Sequence, residues 1–167
     1  MKKHTTPLIV AIAALLADVF TKELALDHLG LFRRIDFLGG FLRFDLTFNE
    51  GGVFGIMQGH KIFFLVVSII VLALMTGYYF YEKNMNILFR IAMALIIGGA
   101  IGNIIDRLIP GRPGVVDFIS VGVDGFYRWP TFNIADSVIV VGAFMIIIAV
   151  YIEEKKLKAL KTGNPDQ

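Results

Sequence analysis

The sequence predicts a membrane protein of mainly α-helical fold class, with four transmembrane helices and a small amphipathic β-sheet on the outer face of the membrane. Of its 167 residues, 56% are hydrophobic and 18% are charged, whereas soluble domains average about 45–50% apolar and about 25% charged residues. The chain contains four apolar windows of about 20 residues, the length that a helix needs to cross a bilayer. Between the first two windows, apolar and polar residues alternate as they do in a half-buried strand.

The composition excludes several classes of protein. Fifteen Phe and five Tyr are too many for a disordered segment. The absence of Cys excludes a disulfide scaffold, cysteine catalysis, thiolate zinc sites and iron–sulfur sites. A net charge of +2 offers no basic face to nucleic acid. We therefore expect a single membrane domain over residues 1–167, with no nucleic-acid partner, metal or cofactor.

The four predicted spans are residues 7–26, 62–81, 87–109 and 132–152. The second is almost entirely apolar and ends in an aromatic cluster typical of a membrane interface. The other three carry ionisable residues, namely Asp18, Lys22 and Glu23 in the first, Arg90, Asp106 and Arg107 in the third, and Asp136 in the fourth. A charged group in mid-bilayer costs about 2.5–3.5 kcal/mol on insertion scales, so these residues need a partner or a function.

The N-terminal region can also be interpreted as a secretory signal. Lys2 and Lys3 precede an apolar run that contains the small-residue triplet Ala11-Ile12-Ala13. However, the apolar run continues past this triplet and three more spans follow. A retained first helix is therefore favoured over a cleaved signal.

An even number of spans places both termini on one side of the membrane. The long inserts 27–61 and 110–131 then lie on the opposite face, and the tail 153–167 lies with the termini. Each side carries eight Lys and Arg residues, so the positive-inside rule does not decide the orientation by count. The termini-side charges sit in shorter segments, and Lys2-Lys3 enters the membrane first, which favours cytoplasmic termini.

The first insert contains the strand signal. Its alternating run consists of Leu42, Phe44, Leu46 and Phe48, with Arg43, Asp45 and Thr47 between them. Pairs of glycines before and after this run punctuate it. In the second insert, Asp124-Gly125 is typical of a tight hairpin turn. Together these features predict a small sheet on the outer membrane surface, beside the helix ends.

Polar residues recur at helical spacing in the third and fourth spans. Asn103 lies three residues before Asp106 and four before Arg107, so these side chains share one helix face. Asn133 and Asp136 repeat the three-residue spacing at the start of the fourth span. With the termini inside, the chain delivers several carboxylates to one depth just under the outer surface, namely Asp18, Asp106, Asp117 and Asp136. This convergence favours a functional site.

Each of these residues also has a purely structural interpretation. Gly98 and Gly102 form a small-xxx-small pair that allows another helix to approach closely. Asn103 and Asn133 can hydrogen-bond between helices, and Asp136 suits the positive end of a helix dipole. The Asp-Arg pair at the end of the third span can cap the helix or snorkel. Taken singly, these residues leave the two interpretations open.

Neighbouring carboxylates suggest a reaction type. Two close carboxylates cannot both ionise comfortably, so one proton is shared between them. The ionised partner can then deprotonate a water while the protonated partner polarises a carbonyl, as in aspartic proteases. The residues needed for zinc, cysteine or serine peptidase chemistry are missing, because the sequence has no H-E-x-x-H motif, no Cys and no His placed beside a serine. A three-carboxylate metal site is conceivable, but no ligand spacing supports it.

Five motifs in order resemble the bacterial lipoprotein signal peptidase family, also called signal peptidase II or prolipoprotein signal peptidase. They are Asp18-Val-Phe-Thr21-Lys22, Asn49-Glu-Gly51-Gly-Val-Phe54-Gly, Gly102-Asn103-Ile-Ile-Asp106-Arg107, Val116-Asp117-Phe118 and Phe132-Asn133-Ile-Ala135-Asp136-Ser137. The resemblance covers nearly the whole chain. It implies an aspartic endopeptidase of the bacterial inner membrane that cleaves prolipoproteins before the diacylglyceryl-modified cysteine, with cytoplasmic termini and a site facing the periplasm or outer surface.

The resemblance also implies roles for individual residues. Asp117 and Asp136 would be the catalytic pair. Seven further residues would shape and stabilise the site, namely Asp18, Lys22, Asn49, Asn103, Asp106, Arg107 and Asn133. Asp124 matches no motif and is expected to lie outside the site. The expected partners are the lipid-modified substrate, membrane lipids and globomycin-type cyclic peptide inhibitors, and we expect a monomer.

Two other classes of function remain open at this point. One is a small proton- or ion-coupled transporter, which would need broken helices at the midplane and an inverted repeat. The sequence shows neither feature, since its polar cluster lies at one interface. The other is a non-catalytic assembly or anchoring protein.

Overall fold

The computed structural model describes residues 2–30, 33–52 and 57–162. Within them, the helices are α1 (Lys2–His28), α2 (Lys61–Tyr81), α3 (Ile87–Leu108) and α4 (Ile134–Thr162). The strands are β1 (Arg34–Phe37), β2 (Leu42–Asn49), β3 (Val115–Val123) and β4 (Tyr127–Arg128). They form one antiparallel sheet in the order β1-β2-β3-β4. The predicted mainly helical architecture with a small sheet is therefore confirmed.

Three helices among the described residues are long and apolar enough to cross a membrane, namely Lys61–Tyr81, Ile87–Leu108 and Ile134–Leu160. Three of the four predicted spans are thus confirmed by length and composition. α1 has 27 residues but is not among them, and its C-terminal half carries Asp18, Lys22 and Glu23. A membrane-spanning role for α1 therefore stays a prediction.

α3 is the central helix of the bundle. Nine of its residues are buried, whereas only Tyr79 is buried in α2. A Cβ atom added to Gly98 would lie 2.5 Å from the carbonyl oxygen of Ala11, and one added to Gly99 would lie 2.7 Å from that of Ala135. α1 and α4 therefore both contact α3 through their backbones, as small residues at helix interfaces allow.

The sheet packs on the C-terminal end of α1. Ala25 of α1 and Leu29, which directly follows the helix, form a buried cluster with Val116 and Phe118 of β3, and the apolar residues of β2 pack against it. The alternation in β2 predicted a regular strand, but its pairing with β3 shifts by one residue between Phe44 and Thr47. Such a bulge leaves the sequence pattern almost unchanged while it bends the strand.

A second departure concerns Arg43, one of the polar residues of the alternating run. Its side chain is only 8% exposed and forms two ion pairs, at 2.7 Å with Asp36 and at 2.6 Å with Asp124. The predicted hairpin is present, with a three-residue loop between Val123 and Tyr127. Gly125 in that loop has a φ of +81°, which favours glycine.

The chain end differs from the prediction in one respect. α4 continues ten residues beyond the predicted span end at residue 152 and ends at Thr162. The added residues are mostly Glu, Lys, Leu and Ala, which are strong helix formers. Hydropathy detects the membrane-crossing part of such a helix but not its polar continuation.

We expect Gly98→Ala to destabilise the bundle by about 1–3 kcal/mol, because the new methyl group would collide with the backbone of Ala11. The matched control is Gly77→Ala in α2, where no atom lies within 4 Å of the added Cβ. The control should be neutral or stabilising by up to about 1 kcal/mol through helix propensity. Thermal unfolding of both variants in detergent measures the difference, and equal midpoints would contradict the close α1–α3 contact.

Candidate active site

Four carboxylates meet at one end of the helices. The chain runs from the last turn of α3 through a short loop into β3 and, after the hairpin to β4, into the first turn of α4, and these elements bring Asp106, Asp117 and Asp136 together. α1 adds Asp18 from its C-terminal half. The side chains of Asp18, Asp106 and Asp117 are buried. Burial of carboxylates requires hydrogen bonds or opposite charges, and the surrounding residues supply both.

Asn133 connects the carboxyl groups of Asp117 and Asp136. Its side-chain oxygen accepts a hydrogen bond from the backbone N–H of Asp136 at 2.9 Å, and its own backbone N–H donates to Asp136 Oδ2 at 3.4 Å. This reciprocal pair is a capping box at the start of α4. Because the oxygen is used in the cap, the Asn133 amide nitrogen points to β3 and donates to Asp117 Oδ1 at 2.6 Å.

Two more amide side chains complete the hydrogen bonds to the pair. Asn103 Nδ2 donates to Asp136 Oδ1 at 2.9 Å, and Asn49 Nδ2 donates to Asp117 Oδ2 at 3.1 Å. The orientation of each amide is set by its other contacts. The oxygen of Asn103 accepts from Lys22 Nζ at 2.9 Å, and the oxygen of Asn49 accepts from the backbone N–H of Gly51 at 3.0 Å.

Lys22 is the buried cation of the site. Its ammonium group lies 2.7 Å from Asp18 Oδ2 and 2.9 Å from Asp106 Oδ2, and its side chain is 1% exposed. Both carboxylates also hold backbone groups next to the proposed pair. Asp18 accepts from the N–H of Ala135 at 2.8 Å, and Asp106 accepts from the N–H of Val116 at 3.1 Å. The ion network therefore fixes the backbone beside Asp136 and beside Asp117.

Asp117 lies on β3, outside the membrane-spanning helices, and its pKa is strongly perturbed. Burial raises the pKa of Asp117 to about 7, and the nearby Asp136 carboxylate adds to the rise. Hydrogen bonds from Asn49 and Asn133 and the charge of Lys22 oppose it. A carboxyl group that titrates near neutral pH can act as an acid or a base under physiological conditions.

Comparison with known proteins identifies the family. A sequence model of the family described as Signal peptidase (SPase) II matches residues 10–152. The chain belongs to the signal peptidase II family. The resemblance drawn from the five motifs is thus confirmed.

The curated relatives of this signal peptidase II chain match it over almost their whole length. A protein named lipoprotein signal peptidase from Staphylococcus haemolyticus is 37% identical over 152 residues, which is 89% of this chain and 94% of the relative. Another of that name from Listeria monocytogenes is 33% identical over 155 residues, or 92% of this chain and 97% of the relative.

Two solved structures are similar to this signal peptidase II chain, and both are described as bacterial membrane enzymes determined by the in meso method. The first has a TM-score of 0.77 and 31% identity and covers 97% of this chain and 93% of its own. The second has a TM-score of 0.73 and 33% identity, with coverages of 87% and 92%. The fold and the family membership therefore agree.

Within this signal peptidase II fold, one contact network contains every site residue that the sequence indicated. Arg107 joins it through Nη1 to the carbonyl of Asn103 at 3.1 Å and through Nη2 to the carbonyl of Gly51 at 3.0 Å. The network comprises Asp18, Lys22, Asn49, Asn103, Asp106, Arg107, Asp117, Asn133 and Asp136. Asp124 lies outside it, on the hairpin, paired with Arg43 and Arg128. Residues 53–55 of the Asn49 motif lie outside the described residues.

Sequence reasoning missed one participant. Arg112 contacts Asp106 Oδ1 at 2.5 Å and Glu23 Oε1 at 2.9 Å. Its neighbours in the sequence are Gly111 and Pro113, so the segment has the composition of a solvated loop. Among the described residues, no group of three or more His, Asp or Glu side chains is arranged to hold a metal ion.

We expect Lys22→Met to destabilise the protein by about 3–5 kcal/mol, because it leaves two buried carboxylates without their shared cation. Glu23→Gln, one position along α1, is the control. Its carboxylate is 53% exposed, so its loss should cost at most about 1 kcal/mol. Chemical unfolding of the purified variants measures both effects. A Lys22→Met protein as stable as the control would show that the buried network is not needed for folding.

Proposed function

We propose that this chain is an aspartic endopeptidase that removes the signal peptide from prolipoproteins, cleaving before the diacylglyceryl-modified cysteine, with Asp117 and Asp136 as the catalytic pair. The observation that carries the proposal is the Asn133 side chain, which joins both carboxyl groups through one amide and one helix cap. Family membership and the names of the relatives supply the substrate.

The pair would act by shared-proton chemistry. The ionised carboxylate takes a proton from a water molecule, which attacks the carbonyl carbon of the scissile peptide bond. The protonated carboxyl group meanwhile donates to the carbonyl oxygen and stabilises the tetrahedral intermediate. When the intermediate collapses, a proton passes to the leaving amine. The amides of Asn49 and Asn103 would hold the two carboxyl groups in place for both steps.

The placement of the site suits a lipid-modified substrate. The carboxylates lie at one end of the apolar helices, where the substrate's acyl chains can remain in the bilayer while the peptide bond reaches the pair. We propose that this end faces the periplasm or outer surface of the inner membrane, that α1 also spans the membrane and brings the number of spans to four, and that both termini are cytoplasmic. In this arrangement the sheet beside α1 would clamp the extended peptide, and globomycin-type cyclic peptides would compete for the same cleft.

The transporter alternative has less support. A coupled transporter would carry its ionisable residues near the middle of broken helices. Here α3 is continuous from Ile87 to Leu108, and its site carboxylate Asp106 lies in the last turn. We therefore favour the peptidase.

We expect Asp117→Asn and Asp136→Asn each to lower the cleavage rate by at least about 10²–10⁴-fold, since each removes one half of the acid–base pair. Purified protein in detergent, given a lipid-modified precursor with and without a globomycin-type inhibitor, measures this. Asp124→Asn is the matched control and should cleave at nearly the rate of the unmodified protein. Cleavage by Asp117→Asn or Asp136→Asn at the control rate would remove these residues from the chemistry.

The pH dependence should report the shared proton. Because the pKa of Asp117 is about 7 in the substrate-free protein, the singly protonated pair is lost as the pH rises through about 7, and kcat/KM should fall over that range. The midpoint belongs to the coupled pair and not to one residue. Cleavage rates measured between pH 4 and pH 9 test this. The fall in rate should extend over about one pH unit on either side of the midpoint. A rate that stays level from about pH 6 to pH 9 would argue against a pair that needs its proton.

A further inference from the structure

Arg112 connects the loop between α3 and β3 to three helices. Its guanidinium group contacts Asp106 of α3 at 2.5 Å and Glu23 of α1 at 2.9 Å, with the side chain 13% exposed. Its backbone carbonyl accepts a hydrogen bond from the ammonium group of Lys61, the first residue of α2, at 2.5 Å. The position of the loop that leads into β3 is therefore defined from three sides.

Arg112 also balances the buried charge. Asp18 and Asp106 are two buried carboxylates, and Lys22 is one ammonium group that both of them contact. Arg112 supplies the second positive charge. Without it, the buried cluster would carry one uncompensated negative charge, because Glu23 on its outer side is half exposed and screened by solvent.

The position of Asp106 is transmitted to Asp117 through one residue. Asp106 Oδ2 accepts a hydrogen bond from the backbone N–H of Val116, and the Val116 carbonyl accepts from Asn133 Nδ2 at 3.2 Å. Val116 precedes Asp117 directly, and Asn133 also contacts the Asp117 carboxyl group. A change in the position of Asp106 therefore reaches Asp117 through the backbone of Val116 and through Asn133.

We propose that Arg112 is a positioning residue for the reaction, which neutralises Asp106 and thereby sets the protonation state and placement of Asp117. This inference rests on the proposed aspartic peptidase function and deepens it. Arg112 does not touch the catalytic pair in the structure, so its effect passes through Asp106 and Val116.

Several charged groups surround Asp106 and Asp117 from the elements packed against them. They are Asp18, Lys22 and Glu23 on α1, Lys61 on α2, Arg107 on α3, Arg112 on the loop, and Asp136 on α4. Removal of one cation from this set leaves an excess negative charge, which disfavours ionisation of a neighbouring carboxyl group. The pH–rate profile of the pair should then move toward higher pH.

The test compares pH–rate profiles for cleavage of a lipid-modified precursor by purified full-length variants. Arg112→Met should move the falling limb of the profile upward by about one pH unit, so that the fraction of the maximal rate retained above pH 8 is up to about tenfold higher than in the unmodified protein. Arg112→Lys keeps the charge and should keep the profile in place with a lower kcat and an unchanged KM. Arg112→Met combined with Asp106→Asn removes the excess charge and should bring the profile back. Lys83→Met, at the opposite end of the helices, is the control for net charge and should change nothing.

The outcomes distinguish failure of the proposed role of Arg112 from failure of the proposed peptidase function. An unshifted profile in Arg112→Met, whatever its loss of rate, reduces Arg112 to a structural contact and overturns the inference while leaving the peptidase intact. A shift that the double variant fails to reverse also overturns it, because the effect would not pass through Asp106. If Arg112→Met does not fold, Arg112→Gln, which also removes the charge but keeps a polar side chain, is judged by the same criteria. Failure of the unmodified protein to cleave overturns the proposed function and this inference together.

Discussion

The hydrogen bonds of Asn133 are the contacts on which the rest of the site depends. The side-chain oxygen caps α4 by accepting from the Asp136 N–H, which leaves the amide nitrogen free to donate to Asp117. A carboxylate at this position would cap the helix equally well but would repel Asp117. An amide therefore satisfies both demands, since it carries an acceptor and a donor on one rigid group.

Burial of several carboxylates in a small membrane protein requires compensation from elsewhere in the fold. Lys22 lies between Asp18 and Asp106, and these carboxylates in turn anchor the backbone N–H groups of Ala135 and Val116. The ion network thus has two effects. It offsets the cost of desolvation, and it fixes the backbone on which Asp117 and Asp136 are carried. A polar group buried without such partners would cost several kcal/mol.

Part of the geometry of the candidate site can be predicted from the sequence, because some of its contacts follow regular spacings. Asp18 and Lys22 are four residues apart on α1, and Asn133 and Asp136 are three apart at the start of α4, so each pair meets on a helix face or at a cap. The pairing shift in β2 and the contacts of Arg112 follow no such rule. They depend on how elements that are distant in the sequence pack around a loop and a bulge, and local sequence patterns do not encode that packing. The extension of α4 to Thr162 could not be predicted for another reason. Hydropathy identifies the apolar residues that cross a bilayer, but it does not identify the polar residues that continue the helix.

The central claim is that Asp117 and Asp136 titrate as one pair at the end of the helices. Carbon-13 NMR of the labelled Asp117 carboxyl carbon, recorded across a pH titration in detergent, tests it most directly. The structure predicts a midpoint of about 7 for Asp117, and a lower midpoint in Asp136→Asn, where the neighbouring negative charge is removed. A midpoint near the ordinary value of about 4, or one that Asp136→Asn leaves unmoved, would contradict the pair.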